Sequence, residues 1–131
     1  MTQQRIDVEG WPRPKGYSNG IVCTGPTLYV AGQVGWNTKG EFAKGDFVAQ
    51  FDQTLANVLA VVTQAGGTPA SIVKMTIYVT DLNAYRNSTA AIGAVWRERL
   101  GKVFPAMALV GVAGLVERDA LVEIEATALL T

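Results

Sequence analysis

Val73-Lys74-Met75-Thr76-Ile77-Tyr78-Val79-Thr80 is the stretch whose reading decides the fold. Its alternation puts Val73, Met75, Ile77 and Val79 on one face and Lys74, Thr76 and Tyr78 on the other, the period of a strand with one buried side. On either flank the period becomes helical. Upstream, Phe47, Phe51, Leu55, Leu59 and Val62 recur at near-helical spacing, with Asp46 placed to cap the helix and Gly66 to stop it. Downstream, Tyr85, Ile92, Val95, Trp96 and Leu100 form a second stripe, with Asn83 as the expected cap and Gly101 as the stop.

Further out the β-type runs return. Ile21–Thr24 and Leu28–Val34 are separated by Gly25-Pro26-Thr27, a turn signal, and are predicted to form a hairpin. Ala106–Val112 and Leu121–Leu130 supply two last strands, joined across Glu117-Arg118-Asp119. The predicted order is strand, strand, helix, strand, helix, strand, strand. Right-handed crossovers would put both helices on one side of the sheet. Period two in the last strand then sends Val122, Ile124, Ala126 and Ala128 toward the helices, and Glu123 and Glu125 toward the uncovered face. That face is expected to show Tyr78, Leu121 and Leu129, with Met107, Leu109 or their neighbours depending on register. So much apolar area calls for a symmetric oligomer.

Composition narrows the chemistry. The chain has 131 residues, and a 49% hydrophobic content is enough for one domain over residues 1–131 to bury a core. Eleven Lys and Arg balance eleven Asp and Glu, so no long-range field favours nucleic acid or an anionic membrane. No apolar run approaches the ~20 residues of a membrane span, and Met1-Thr2-Gln3-Gln4 opens nothing like a signal peptide, so a cytoplasmic location is expected. Histidine is absent and cysteine occurs once. Ser-His-Asp and Cys-His mechanisms and the usual zinc sets are thereby disfavoured, and no metal or cofactor is expected. Gly32-Gln33-Val34-Gly35 and Ala65-Gly66-Gly67-Thr68 lack the Lys-Ser/Thr of a P-loop and read as turns and caps. Cys23 reads as a small buried hydrophobe. Trp11, Arg13 and Lys15, in the proline-stiffened run Gly10–Gly16, have the composition of an RNA-stacking patch; with no second basic stripe, an arm packed over its own domain is the simpler reading.

Several motifs resemble one known family. Lys15-Gly16-Tyr17-Ser18-Asn19-Gly20 is similar to the opening Gly-x-Tyr-x-x-Gly of the Rid/YjgF imine and enamine deaminases, and Tyr29-Val30-Ala31-Gly32-Gln33 to a strand that ends there in Ser-Gly-Gln. Asp52–Val58, Val73–Leu82 and Val122–Ala126 resemble the family's first helix, middle strand and last strand. Phe104-Pro105-Ala106-Met107 matches its Phe-Pro-Ala-Arg except at the last position. The resemblance implies an α+β, chorismate mutase-like fold: a mixed sheet with two helices on one face, assembled as a homotrimer with clefts between subunits. It also implies hydrolysis of a reactive imine or enamine to a carbonyl compound and ammonia. Glu123 aligns with the water-orienting glutamate, the Leu109 carbonyl stands as a second acceptor where the family often has cysteine, and Tyr17 aligns with the tyrosine lining the cleft. The implied substrate-binding set is Tyr17, Ala31, Gly32, Trp36, Thr89, Met107 and Leu109.

Three of those positions depart from the family pattern. Ala31 replaces a serine, Thr89 stands where the family has asparagine, and Met107 replaces the arginine that grips the substrate carboxylate. A thioether cannot donate, whereas a hydrogen bond to a charged group contributes about 1.5–3 kcal/mol. Small imino acids such as 2-aminoacrylate should bind ten- to a hundredfold or more weakly by that measure. An apolar cleft suits a larger or uncharged imine. Arg86, Arg97 and Arg118 are alternatives for a displaced clamp, though each reads more simply as surface charge. A ligand-binding or regulatory trimer without turnover is the second reading and an endoribonuclease the third. A proline-nucleophile tautomerase is disfavoured because residue 2 is Thr2.

Overall fold

The computed structural model describes residues 2–130. Its strands are β1 (Thr2–Ile6), β2 (Gly20–Thr24), β3 (Thr27–Val34), β4 (Ile72–Val79), β5 (Ala106–Gly111) and β6 (Val122–Leu129), and its helices are α1 (Phe47–Gln64), α2 (Leu82–Arg86) and α3 (Thr89–Leu100). A four-stranded mixed sheet runs β3-β6-β4-β5, antiparallel except for the parallel pair β4/β5. Among the described residues, no helix is long and apolar enough to cross a membrane.

Helix α1 forms as its sequence directs. Asp46 Oδ1 accepts from the Ala49 amide at 3.0 Å, and after the last turn Gly66, at φ 90°, reverses the chain while Gly67 donates to Val62 O at 2.9 Å. Its buried stripe is Phe47, Phe51, Leu55, Val58 and Val62; Leu59, expected on that stripe, is only partly buried at its margin. The stripe packs on the sheet face that carries Met75, Ile77, Val79, Val122, Ile124 and Ala126, all buried. Helices α1 and α3 lie on that one face, and the fold is α+β.

The structure corrects five expectations in the outer elements. Strand β2 does not form a hairpin with β3 but pairs antiparallel with β1, from Thr2 opposite Thr24 to Ile6 opposite Gly20. A polar run such as Thr2-Gln3-Gln4-Arg5 carries no apolar alternation, so no local signal announces this strand; backbone pairing forms it, and Gln3 Nε2 adds a bond to Ala70 O at 3.0 Å. Cys23 is half-buried in this ribbon rather than buried. Trp11 is 62% exposed, so the early proline-rich arm does not tuck its indole against the domain. The second helical stripe is two helices. Asp81, not Asn83, caps the first by accepting from the Asn83 and Ala84 amides at 2.9 and 3.3 Å, and the chain breaks at Asn87-Ser88 before α3 begins. Consecutive Asn, Ser and Thr side chains compete with the helix for backbone groups.

Register decides the open face. Lys74, Thr76 and Tyr78 of β4 stand beside Ala106, Ala108 and Val110 of β5 and beside Thr127, Glu125 and Glu123 of β6. Met107 and Leu109 therefore point to the helix side, opposite Met75 and Ile77. Leu129 is buried and Leu121 packs against the core, so neither belongs to the open face. A register shift between Ile72 and Lys74 explains the far end of the sheet: alternation fails there, and Ile72 and Val73, like Ala128 and Leu129, are buried in succession. Tyr29, 79% exposed, and Val110, 41% exposed, remain on the uncovered side.

One buried amide ties the helix layer to the start of β6. Gln50, fully buried, donates to Ala43 O and Asp119 O at 3.1 and 2.9 Å and accepts from the Leu121 amide at 2.8 Å. Gly35 lets β3 approach the same point, since a Cβ there would lie 2.7 Å from Gln50 O. Gln50→Ala takes a partner from the Asp119 carbonyl, the Leu121 amide and the Ala43 carbonyl, the last of which also accepts from the Asp46 amide, and is expected to cost about 2 kcal/mol. Urea denaturation at fixed protein concentration checks this; a loss under 1 kcal/mol would mean that water replaces the amide.

Candidate functional site

The residues singled out from sequence fall into two groups on opposite sides of the sheet. The first surrounds a cavity of about 660 Å³ between α3 and the outer strand β5. Helix α3 packs mainly on α1, tied there by Arg99 Nε to Asp52 Oδ1 at 2.7 Å, which leaves room over β5. Met107 and Leu109 reach into that room from the strand, Thr89 borders it from the start of α3, and Tyr17 borders it from the segment before β2. Phe51, Ile77, Ile92 and Trp96 complete an apolar interior.

Tyr17 is held there by its neighbour. Ser18, 4% exposed, donates its amide to Pro105 O at 3.0 Å and its hydroxyl to Phe104 O at 2.5 Å, and bridges to Ala106. Trp96 Nε1 donates to Val103 O at 3.0 Å, fixing the chain that enters β5. Ser18 was not singled out from sequence. The signal was its place inside the Gly-x-Tyr-x-x-Gly segment, but only the fold shows a partner 86 residues away.

The second group lies on the open face. Glu123 stands beside Gly32, where any side chain would overlap it: a Cβ at Gly32 would lie 2.9 Å from Glu123 Cδ. The register shift between Val30 and Gln33 turns Gly32 toward the carboxylate. Ala31 is exposed alongside. Trp36, 39% exposed, follows β3; Asn57 Nδ2 holds this corner by donating to Val34 O at 2.8 Å and Trp36 O at 2.9 Å, and the indole packs on Phe42 at 6.0 Å.

The two open-face carboxylates are differently engaged. Glu125 Oε1 accepts from the Tyr78 hydroxyl at 2.5 Å. That bond, then burial and the Glu125 charge, push Tyr78 above the usual phenol range, so it stays a donor through neutral pH. Among the described residues, Glu123 has no such side-chain partner and keeps its lone pairs for a ligand or water.

Tyr17, Thr89, Met107 and Leu109 are thus brought together, as are Gly32 and Glu123, with Ala31 and Trp36 nearby along β3. One chain does not join the groups: β4 lies between β5 and β6, and the two sets face opposite ways. Lys15, read from sequence as part of an early RNA-stacking or packing arm, and Lys102, which sequence reasoning passed over, both border the cavity with Arg97. Among the described residues, no three His, Cys, Asp or Glu side chains cluster to hold a metal.

A family model described as Endoribonuclease L-PSP matches residues 12–130. The chain is 36% identical over 124 residues to a RutC family protein of Pyrococcus horikoshii, covering 94% of each. It is 38% identical over 107 residues to the 2-iminobutanoate/2-iminopropanoate deaminase of Escherichia coli strain K12, covering 82% of each. The solved structure of a conserved Rid family protein of unknown function from Yersinia pestis superposes with a TM-score of 0.86 at 37% identity, over 99% of this chain and 100% of that one. The Escherichia coli YjgF gene product does so with a TM-score of 0.71 at 38% identity, over 96% and 98%. Sequence and fold agree over almost the whole length, and the chain belongs to the Rid/YjgF family.

Proposed function

We infer that this chain is a Rid-type deaminase working as a homotrimer, with each cleft built from two subunits, and that it hydrolyses a reactive imine or enamine to a carbonyl compound and ammonia. The division of the site residues carries this reading. Tyr17, Thr89, Met107 and Leu109 border a cavity at one edge of the sheet, while Glu123 and Gly32 lie on the face that exposes Tyr29 and Val110. A second copy laid against that face would cover it and bring its own cavity edge to the first copy's Glu123. Relatives named as 2-iminobutanoate/2-iminopropanoate deaminases support the reaction class.

In that cleft Glu123 orients a water toward the C=N carbon, with the Leu109 carbonyl as second acceptor. Water adds, the resulting carbinolamine collapses, and ammonia leaves with the proton it gains. Positioning supplies most of the rate for so labile a substrate. Tyr17 closes the cleft over the reacting atoms. Met107 favours a substrate larger than the small imino acids.

Light scattering is expected to give about three times the 13.9 kDa of one chain. A sharper test mixes two inactive proteins, Glu123→Gln and the cavity-blocking Met107→Trp. If each cleft draws on two subunits, co-refolded mixtures regain turnover in clefts that receive both native halves. A monomer mass, or no recovery in mixed trimers, overturns the shared cleft.

Met107 favours one alternative, a trimer that binds a small ligand without turning it over, because the substrate clamp of the resemblance is missing. The nuclease named in the family description fits less well, since the chain has no histidine and zero net charge.

A further inference from the structure

The cavity beside β5 is apolar inside and cationic at its mouth. Lys15 borders it from the segment before β2, Arg97 from the last turn of α3, and Lys102 from the turn after that helix. No aspartate or glutamate lines it. All three cationic side chains are exposed, and the ion pairs among the described residues, Arg5–Asp7, Lys44–Asp119 and Arg99–Asp52, involve none of them. Arg97 lies one turn after Gly93, and its Nη1 lies 3.6 Å from where a Cβ at Gly93 would stand, so the guanidinium folds back along the helix. Gly93 and Arg97 both border the cavity.

In a chain of zero net charge, three cations around one opening with no carboxylate among them make a local field for an anion. The interior has the opposite preference. Burying an anion against Ile77, Ile92, Met107 and Leu109 would cost its hydration with nothing to replace it. A ligand that satisfies both regions is amphipathic, and about 660 Å³ accommodates an aromatic ring with a short chain.

We propose that this cavity binds a carboxylate carrying an aromatic group, with the ring inside against Met107 and Leu109 and the carboxylate at the mouth on Arg97, Lys102 and Lys15. The polarity is the reverse of a cleft whose arginine stands at position 107. This substrate class rests on reading the cavity as part of the deaminase cleft, although the binding it describes does not require turnover.

A matched pair of probes tests it: 3-phenylpropanoate and 3-phenylpropanamide, titrated calorimetrically into the intact protein. The carboxylate is expected to bind roughly tenfold more tightly than the amide, and added salt should weaken only the carboxylate. Lys15→Gln, Arg97→Gln and Lys102→Gln combined should bring the two probes to equal affinity without changing the amide, and Arg97→Lys alone should keep most of the preference. All three positions are exposed, so assembly and melting temperature should hold. Equal affinities in the wild type, a preference that survives the triple substitution, or no binding of either probe overturns the proposal. Carboxylate preference without turnover of any imine would keep it and remove the deaminase reading. Turnover of aromatic imines with no carboxylate preference would do the reverse.

Discussion

Glu123→Gln is expected to lower imine turnover by roughly a hundredfold or more, the range that a positioned proton acceptor contributes, while trimer mass and melting temperature stay nearly unchanged. The substitution keeps size and shape but removes the charge and the ability to take a proton from water. Structure makes a purely structural role a poor fit. Glu125, two residues along the same strand, is bonded to Tyr78, whereas Glu123 sits against bare Gly32 with no side-chain partner among the described residues. Glu125→Gln therefore serves as the control: it should weaken the bond with Tyr78 and act on stability rather than on turnover. Imine decay, melting temperature and mass measured on both variants separate the roles. Undiminished turnover in Glu123→Gln would remove the residue from the mechanism, and a lost trimer would make it structural.

Met107→Arg should raise hydrolysis of small 2-imino acids by roughly ten- to a hundredfold, seen mainly as a fall in KM. Position 107 points from β5 into the cavity, beside Leu109 and across from Met75, so a guanidinium can reach a carboxylate lying between the strand and Tyr17. The same change should cost some stability when no ligand is present, because a charged group then borders apolar side chains. Imine decay followed with and without protein, for a small and an aromatic substrate, makes the comparison. A wild-type rate on the small substrate equal to that of a relative bearing the arginine would show that another cation already does the clamping. Arg97 would be the first to substitute.

Much of the scaffold was legible because its causes are local. Asp46 and Gly66 delimit α1 by cap chemistry, Val73–Thr80 shows its strand by alternation, and Val122–Leu129 sends Glu123 away from the helices by period two alone. Placing both helices on one face needed only the handedness of the crossovers. The motifs that resemble the family also pointed to Tyr17, Met107 and Glu123 before any geometry was known.

Strand partnership, register and long-range proximity were decided by the tertiary structure, since each depends on residues far apart in the chain. Gly25-Pro26 looks like a hairpin turn, yet β2 finds its partner in β1, where backbone pairing needs no apolar pattern. A one-residue choice of register sends Met107 and Leu109 to the cavity and leaves Ala106, Ala108 and Val110 outside, and alternation within β5 fits either outcome. The contact of Glu123 with Gly32 depends on a register shift in β3 that no local signal announces. In the sequence Lys15 belongs to a proline-rich arm, Arg97 reads as a surface charge, and Lys102 carries no signal. They become one cationic mouth because Ser18 pins its segment to the start of β5 while α3 ends beside it, which brings residue 15 to residues 97 and 102.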